Sequence, residues 1–351
     1  MIPAPADYTA LLLIPTGIGA RMGGFAGDAI PVARTLAAAV DRLITHPNVL
    51  NGASLFWPIA NALYVEGYSL DQFCRGVWGL RPGRQNRVGV LLDAALEPDL
   101  KLQHLLVIQA AQATLGLEIH AWRMTERPLG VSTLITPAGT SQGLLADPEA
   151  LLTGARQLLR EGATAIAVVA RFPDDLDFSA YDQGAGVDPL AGVEAVISHL
   201  LVRELGIPAA HAPAFQMGEL VPVHPRAAAE SVGYTFLPSV LAGLSYAPQF
   251  VNSEDPARAG DLRVEDVDVV ISPASAFGGP GILHLASRAQ PPLLIAVEEN
   301  TTSLQVFPED LGIKVLRVRS YLEAIGAVTA HRAGISIRSL MDIKEKDGRD
   351  H

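Results

Sequence analysis

The chain has 351 residues, 49% of them hydrophobic and 18% charged, which excludes a disordered polypeptide and supplies a core for one large α/β unit or two lobes. The formal net charge of −11, with no basic run before the last few residues, argues against a nucleic-acid binder, which carries a basic face. The single Cys74 excludes an intrachain disulfide and a cysteine-based metal cluster, and it fits a reducing cytoplasm. In chain order, residues 1–8 (MIPAPADY) lack a basic signal-like region, and Leu11–Ile14 is too short to span a bilayer, so a cytoplasmic protein with no membrane segment is expected.

Leu11–Pro31 (LLLIPTGIGARMGGFAGDAIP) reads as a strand, a glycine-rich turn and the start of a helix. That order presents backbone N–H groups and a helix N-terminus to an anion. Thr16, Gly17, Gly19, Arg21, Gly23, Gly24 and Asp28 are therefore candidate ligand-binding residues. A P-loop is excluded because the turn holds no lysine, and a dinucleotide fingerprint fails at Met22, where it needs glycine. The acidic ribose partner is missing too, since Asp41 falls in a helical pattern predicted over about 31–44. The bland alternative is a tight turn that lets a helix pack close to a strand.

Next comes THPNVLNG, a loop that places His46, Asn48 and Asn51 near the glycine-rich turn if the strands are parallel. Ser69 is read as starting a short helix, followed by a polar arginine-bearing loop, and Cys74 as a small buried hydrophobe. Strands are predicted at 87–95, 117–122 and 131–136, a helix at 98–115 capped by Gly116, and a small-polar loop at 139–143. Asp147 and Pro148 open a helix that runs to Glu161. Thr164–Ala170 is a buried parallel strand with Arg171 at its carboxyl end, where α/β folds bind ligands.

A helix over 190–205 precedes IPAAHAPAF, which presents His211, and His224 follows in a His-Pro-Arg turn. The apolar 233–249 segment reads as a lid or a subunit interface. Residues 262–319 form a βαβ run: a strand at 267–271, the turn Ser272–Gly281, a short helix, a strand at 292–297 and another at 314–318. This run adds Ser272, Ser275, Gly278, Gly279, Glu298, Glu299, Asn300 and Thr301 as candidates. The final helix spans 321–330, and 344–351 is a charged, frayed tail.

The strings GIGARMGGFAGDA, THPNVLNGA, HAPAF and SPASAFGGPG with AVEENTT together resemble an uncharacterised bacterial family, common in cyanobacteria, known as a domain of unknown function. The similarity covers about residues 10–335 and implies one integral unit without appended modules. It brings no reaction and no catalytic residues.

The expected fold is α/β with a mostly parallel sheet, helices on both faces and Rossmann-like βαβ units. It forms a single unit over 1–343 with lobes at 1–145 and 146–343 around a cleft. The expected function is an enzyme acting on a small anionic metabolite. Glycine turns would hold the anion, Arg21 and Arg171 would neutralise it, and His46, His211, His224, Glu298 or Glu299 would move protons. Transferase, lyase or isomerase chemistry fits better than redox chemistry, and Ser275 lacks the elbow of a serine hydrolase. A regulatory metabolite-binding protein without turnover is the alternative; a metal enzyme built on His46, His211, His224 and Asp28 is the second. No cofactor is named by any motif, and exposed apolar stretches suit a homo-oligomer.

Overall fold

All four residues of the first strand, β1 (Thr9–Leu12), are buried, as in a parallel sheet covered on both faces. The structure, a computed structural model, describes residues 7–216, 222–228, 230, 235–252 and 254–340. After β1 come α1 (Ile30–Ala39), β2 (Arg42–Thr45), α2 (Pro47–Leu50), β3 (Ala62–Tyr64), α3 (Gly67–Cys74) and β4 (Trp78–Arg81). The middle of the chain holds β5 (Val88–Leu92), α4 (Pro98–Leu115), β6 (Ile119–Met124), β7 (Val131–Ile135), β8 (Ser141–Leu145) and α5 (Pro148–Arg160). Then follow β9 (Ala165–Arg171), α6 (Ser179–Asp182), α7 (Ala191–Leu205), β10 (Ala209–Ala214), α8 (Pro225–Ala228), α9 (Leu237–Tyr246) and β11 (Gln249–Asn252). The last elements are β12 (Val267–Pro273), α10 (Pro280–Ala286), β13 (Leu293–Val297), β14 (Leu316–Val318) and α11 (Tyr321–Arg332).

Six strands form one parallel sheet in the order β14-β13-β12-β1-β2-β3. β5, β6, β9 and β10 form a second parallel sheet in the order β10-β9-β5-β6. The fold is thus α/β with parallel sheets, but the lobes do not divide at 145/146. β5 pairs with β6 on one side and with β9 on the other, and the second sheet is inserted in the chain between β3 and β12.

Strand alternation sends neighbouring side chains to opposite faces. In β1, Ala10 and Leu12 join a core with Leu36 of α1 and Val328 of α11, while Leu11 packs with Phe73 of α3 and Leu285 of α10. The second sheet is covered on one face by Val107 and Ile108 of α4, and on the other by Leu158 of α5 and Ile197 of α7. Leu237, Val240, Leu241 and Leu244 of α9 belong to a cluster that includes strands of both sheets, so this face of α9 is a wedge between the lobes.

Other boundaries differ from expectation. The first helix stops at Ala39 and β2 occupies the residues predicted as its last turn, because Leu43 and Ile44 are held in the ladder beside β1. Ser141–Leu145, predicted partly as loop, is the second strand of an antiparallel hairpin with β7. The alanine- and proline-bearing segment at 209–214 is an edge strand, which tolerates Pro213. The expected tail 344–351, residues 1–6 of the expected leaderless start, and parts of 220–223 and 233–249 lie outside the described residues.

Candidate functional site

β1 and β12 are neighbours, yet the chain leaves β1 toward β2 on one side and β12 toward β13 on the other. Diverging connections open a crevice at the carboxyl ends of such strands. A cleft of about 370 Å³ lies there, bordered by Leu13–Gly17 after β1, His46–Asn48 after β2, and residues 276 and 279–282 after β12. The facing wall comes from the inserted lobe: Asp188, α7, and His211 and Pro213 of β10.

Of the expected ligand-binding residues, Thr16, Gly17, Gly24, Asn48, Asn51 and Gly279 line this cleft, as do the expected catalytic His46 and His211. Gly17 has φ +71°, a left-handed turn suited to glycine, and its carbonyl accepts from Ser141 N at 3.1 Å. Asn48 Nδ2 donates to the Gly23 carbonyl at 2.6 Å, and Asn51 Oδ1 accepts from the buried Tyr64 hydroxyl at 3.2 Å.

His46 immediately precedes α2 without capping it, and is 8% exposed. Its Nε2 accepts the Ile14 backbone N–H at 3.1 Å, which requires a lone pair there and places the neutral ring's proton on Nδ1. Burial lowers its pKa to about 4. His211 lies on the opposite wall. Its Nε2 is 3.3 Å from Glu194 Oε2 and its Nδ1 2.6 Å from Ser198 Oγ. Glu194 and Ser198 are four residues apart on α7 and so share one helix face. With Nε2–H donated to Glu194, Nδ1 accepts from the Ser198 hydroxyl.

Carboxylates complete the lining. Glu66 caps α3 by accepting from Tyr68 N and Ser69 N, and its other oxygen is 2.9 Å from His199 Nε2. Burial opposes the charge on His199, but Glu66 and then Asp71 outweigh it and raise the pKa. Asp71 Oδ1 accepts from Gly281 N at 3.0 Å, tying α3 to the start of α10. Asp188 accepts from Leu190 N at 2.8 Å; burial, then Glu194 and Glu230, hold its carboxyl well above the usual range. Glu230 accepts from Ala26 N at 3.0 Å and from the Tyr181 hydroxyl, and burial pushes it up to about 7.

The other expected residues support the frame. Asp28 accepts from Gly23 N and pairs with Arg226 at 2.7 Å, and burial raises its carboxyl. Asn300 is buried and clamps the glycine turn, accepting from Met22 N and donating to the Met22 carbonyl and the Tyr321 hydroxyl. The Thr301 carbonyl accepts from Arg21 N, and a Cβ on Gly19 would lie 3.0 Å from the Gly186 carbonyl oxygen. Ser275 bonds Thr302 at 2.8 Å, Ser272 is buried without a hydroxyl partner among the described residues, and Gly278 packs on Val306.

Several expected roles are corrected. Arg171 is held by Glu97 and Asp174 and does not line the cleft, so it is not free to neutralise a ligand. Exposed Arg21 also lies outside the lining. Exposed Glu298 pairs with Arg317, Glu299 accepts from Tyr321 N at the start of α11, and exposed His224 accepts from Arg226 N. None of these three reaches the cleft. The described lining holds no lysine or arginine, which corrects the expectation of cationic side chains around an anion. Among the described residues no group of three or more His, Cys, Asp and Glu is arranged to hold a metal ion, so His46, His211, His224 and Asp28 do not form one.

Glu66, Asp71, Asp188, Glu194, Ser198, His199 and Glu230 line the cleft without having been expected there. The Glu-x-x-x-Ser-His spacing in the helix predicted at 190–205 is a signal that could have found Glu194, Ser198 and His199; the rest depend on tertiary approach.

Residues 9–341 match a family described as "Protein of unknown function (DUF3326)", and the chain belongs to that family. A protein of Synechococcus sp. named an uncharacterized lipoprotein is 53% identical over 338 residues, spanning 95% of this chain and 93% of its own length. No solved structure matches. Among the described residues no helix is long and apolar enough to cross a membrane.

Proposed function

We propose, for this member of a family with no assigned reaction, that the cleft is the active site of an enzyme acting on a small metabolite through histidine and carboxylate acid–base chemistry. The Glu194–His211–Ser198 chain on the cleft wall carries this reading. A histidine oriented by a carboxylate takes and returns a proton at the geometry such transfers need. Glu230, with its carboxyl raised to about 7, holds a proton near neutrality and supplies the acid partner. Transferase, lyase or isomerase chemistry remains the proposed class. The glycine turn at Thr16–Gly24 would position the metabolite beside the histidines.

Thermal-shift screening of small metabolites, followed by turnover assays on each hit, tests the reading. His211→Ala is expected to lower turnover by about 10²–10⁴-fold while leaving the fold intact. Full turnover in that variant would remove His211 from the mechanism. Binding without conversion of any hit would make the protein a regulator instead. A cytoplasmic location is also proposed, supported by the single, unpaired Cys74, which fits a reducing compartment. The relative's name points to a lipid-anchored protein, and detergent phase partition of cell extracts separates the two locations.

A further inference from the structure

Resting on that reading of the cleft, we infer that the substrate carries a protonated amine, set against the Asp188–Glu194–Glu230 wall, and a carbonyl or hydroxyl oxygen that accepts a hydrogen bond from His46 Nδ1. Two independent features meet here. The first is charge. Carboxylates line the cleft, no lysine or arginine does among the described residues, and Glu194 lies close enough to Asp188 and to Glu230 to disfavour the ionisation of both, after burial itself. Glu230 commits Oε1 to Ala26 and Tyr181 and leaves Oε2 without a partner among the described residues. An ammonium offers three donors to such a wall and its positive charge favours ionisation of the carboxyls that burial holds protonated, whereas a carboxylate or phosphate would disfavour that ionisation further.

The second feature is His46. It is more than nine-tenths buried, lines the cleft, and has its Nε2 turned to the Ile14 backbone. Its Nδ1–H has no partner among the described residues and does not serve α2. A donor that borders the cleft and has no such partner is left to solvent, and an oxygen of the bound molecule can take that place. A neutral imidazole N–H is also a good polariser of a carbonyl, because it stabilises developing negative charge without itself being an acid at neutral pH. Donor and acidic wall face each other across one cavity, so a molecule with an amine at one end and an acceptor oxygen at the other meets both.

The test is a thermal-shift and calorimetric comparison using small amino alcohols, amino sugars and amino-acid amides, each paired with its deaminated and its carboxylate analogue. Amine members are expected to raise Tm by about 2–5 °C at millimolar excess, with their analogues producing little change. Glu194→Gln and Asp188→Asn should remove the preference for amines, and His46→Phe should weaken binding by roughly five- to tenfold. Because His46→Phe also deprives Ile14 N–H of its acceptor, ¹⁵N imidazole spectra of the unaltered protein provide a second readout. His46 should show a protonated Nδ1 whose signal moves when an amine ligand is added. Analogues binding as well as the amines, or no amine binding at all, would overturn the inference. If anions instead bind and are lost in Gly24→Val, the cleft reading survives while the amine class falls; hits insensitive to every cleft variant would sink both.

Discussion

Burial moves Glu230 and His46 in opposite directions. Glu230 is raised from 4.5 to about 7, so the stability it contributes is present below 4.5 and is lost as pH rises through about 7. His46 is lowered from 6.5 to about 4, so its contribution is present above 6.5 and is lost as pH falls through about 4. The His46 shift corresponds to about 3 kcal/mol. His199 and Asp188, both raised, act in the same sense as Glu230. Melting temperature should therefore peak on the mildly acidic side. Glu230→Gln is expected to flatten the decline toward pH 8, and His46→Gln the decline toward pH 4. A Glu230→Gln profile parallel to wild type would show that this carboxyl is already ionised in the folded state.

At the scale of elements, the placement of α7 depends on two glycines that meet backbone to backbone. A Cβ on Gly143 of β8 would lie 2.1 Å from Val193 Cβ, and one on Gly192 of α7 would lie 2.4 Å from Gln142 Cα. Ser141 completes the join by accepting from Gly192 N at 2.9 Å and donating to the Pro189 carbonyl. Since α7 bears Glu194, Ser198 and His199, Gly192→Ala should cost about 1–3 kcal/mol in chemical denaturation and also shift the His211 imidazole resonances. An unchanged His211 environment would mean that α7 is held from its other end. The long helices were legible because their periodicity came with stops: α4 ends at Gly116 with φ +66°, and α5 begins where Asp147 accepts from Ala150 N. β2 was not, because Arg42–Thr45 follows α1 with neither glycine nor proline between them. His46 and His211 could be proposed from their loop-like, proline-flanked settings. Glu66 and Glu230 could not, since the sequence places the start of α3 at Ser69 instead of at the Glu66 cap, and Glu230 reaches the site through contacts far along the chain.

Across the molecule, the two sheets share one apolar cluster through α9, and the cleft has a wall from each. The lobes should therefore unfold together. Trp57 lies between α2 and β3, stacked under Arg34, and Trp122 lies in β6 of the inserted sheet, beside Lys101. Variants retaining only one of these tryptophans should report coincident denaturation curves. Separate midpoints would show that α9 does not couple the lobes.

The insertion also sets an order of events during synthesis. β1 pairs on one side with β12, and Thr9 N donates to the Asp268 side chain across a separation of 259 residues. At about 5–20 residues per second, a ribosome takes on the order of ten to fifty seconds to supply that partner. For this interval the future centre of the six-stranded sheet has a bare hydrogen-bonding edge, while the inserted sheet can already close on itself. The nascent chain is then most exposed to mispairing at the very strand whose end later forms the floor of the cleft.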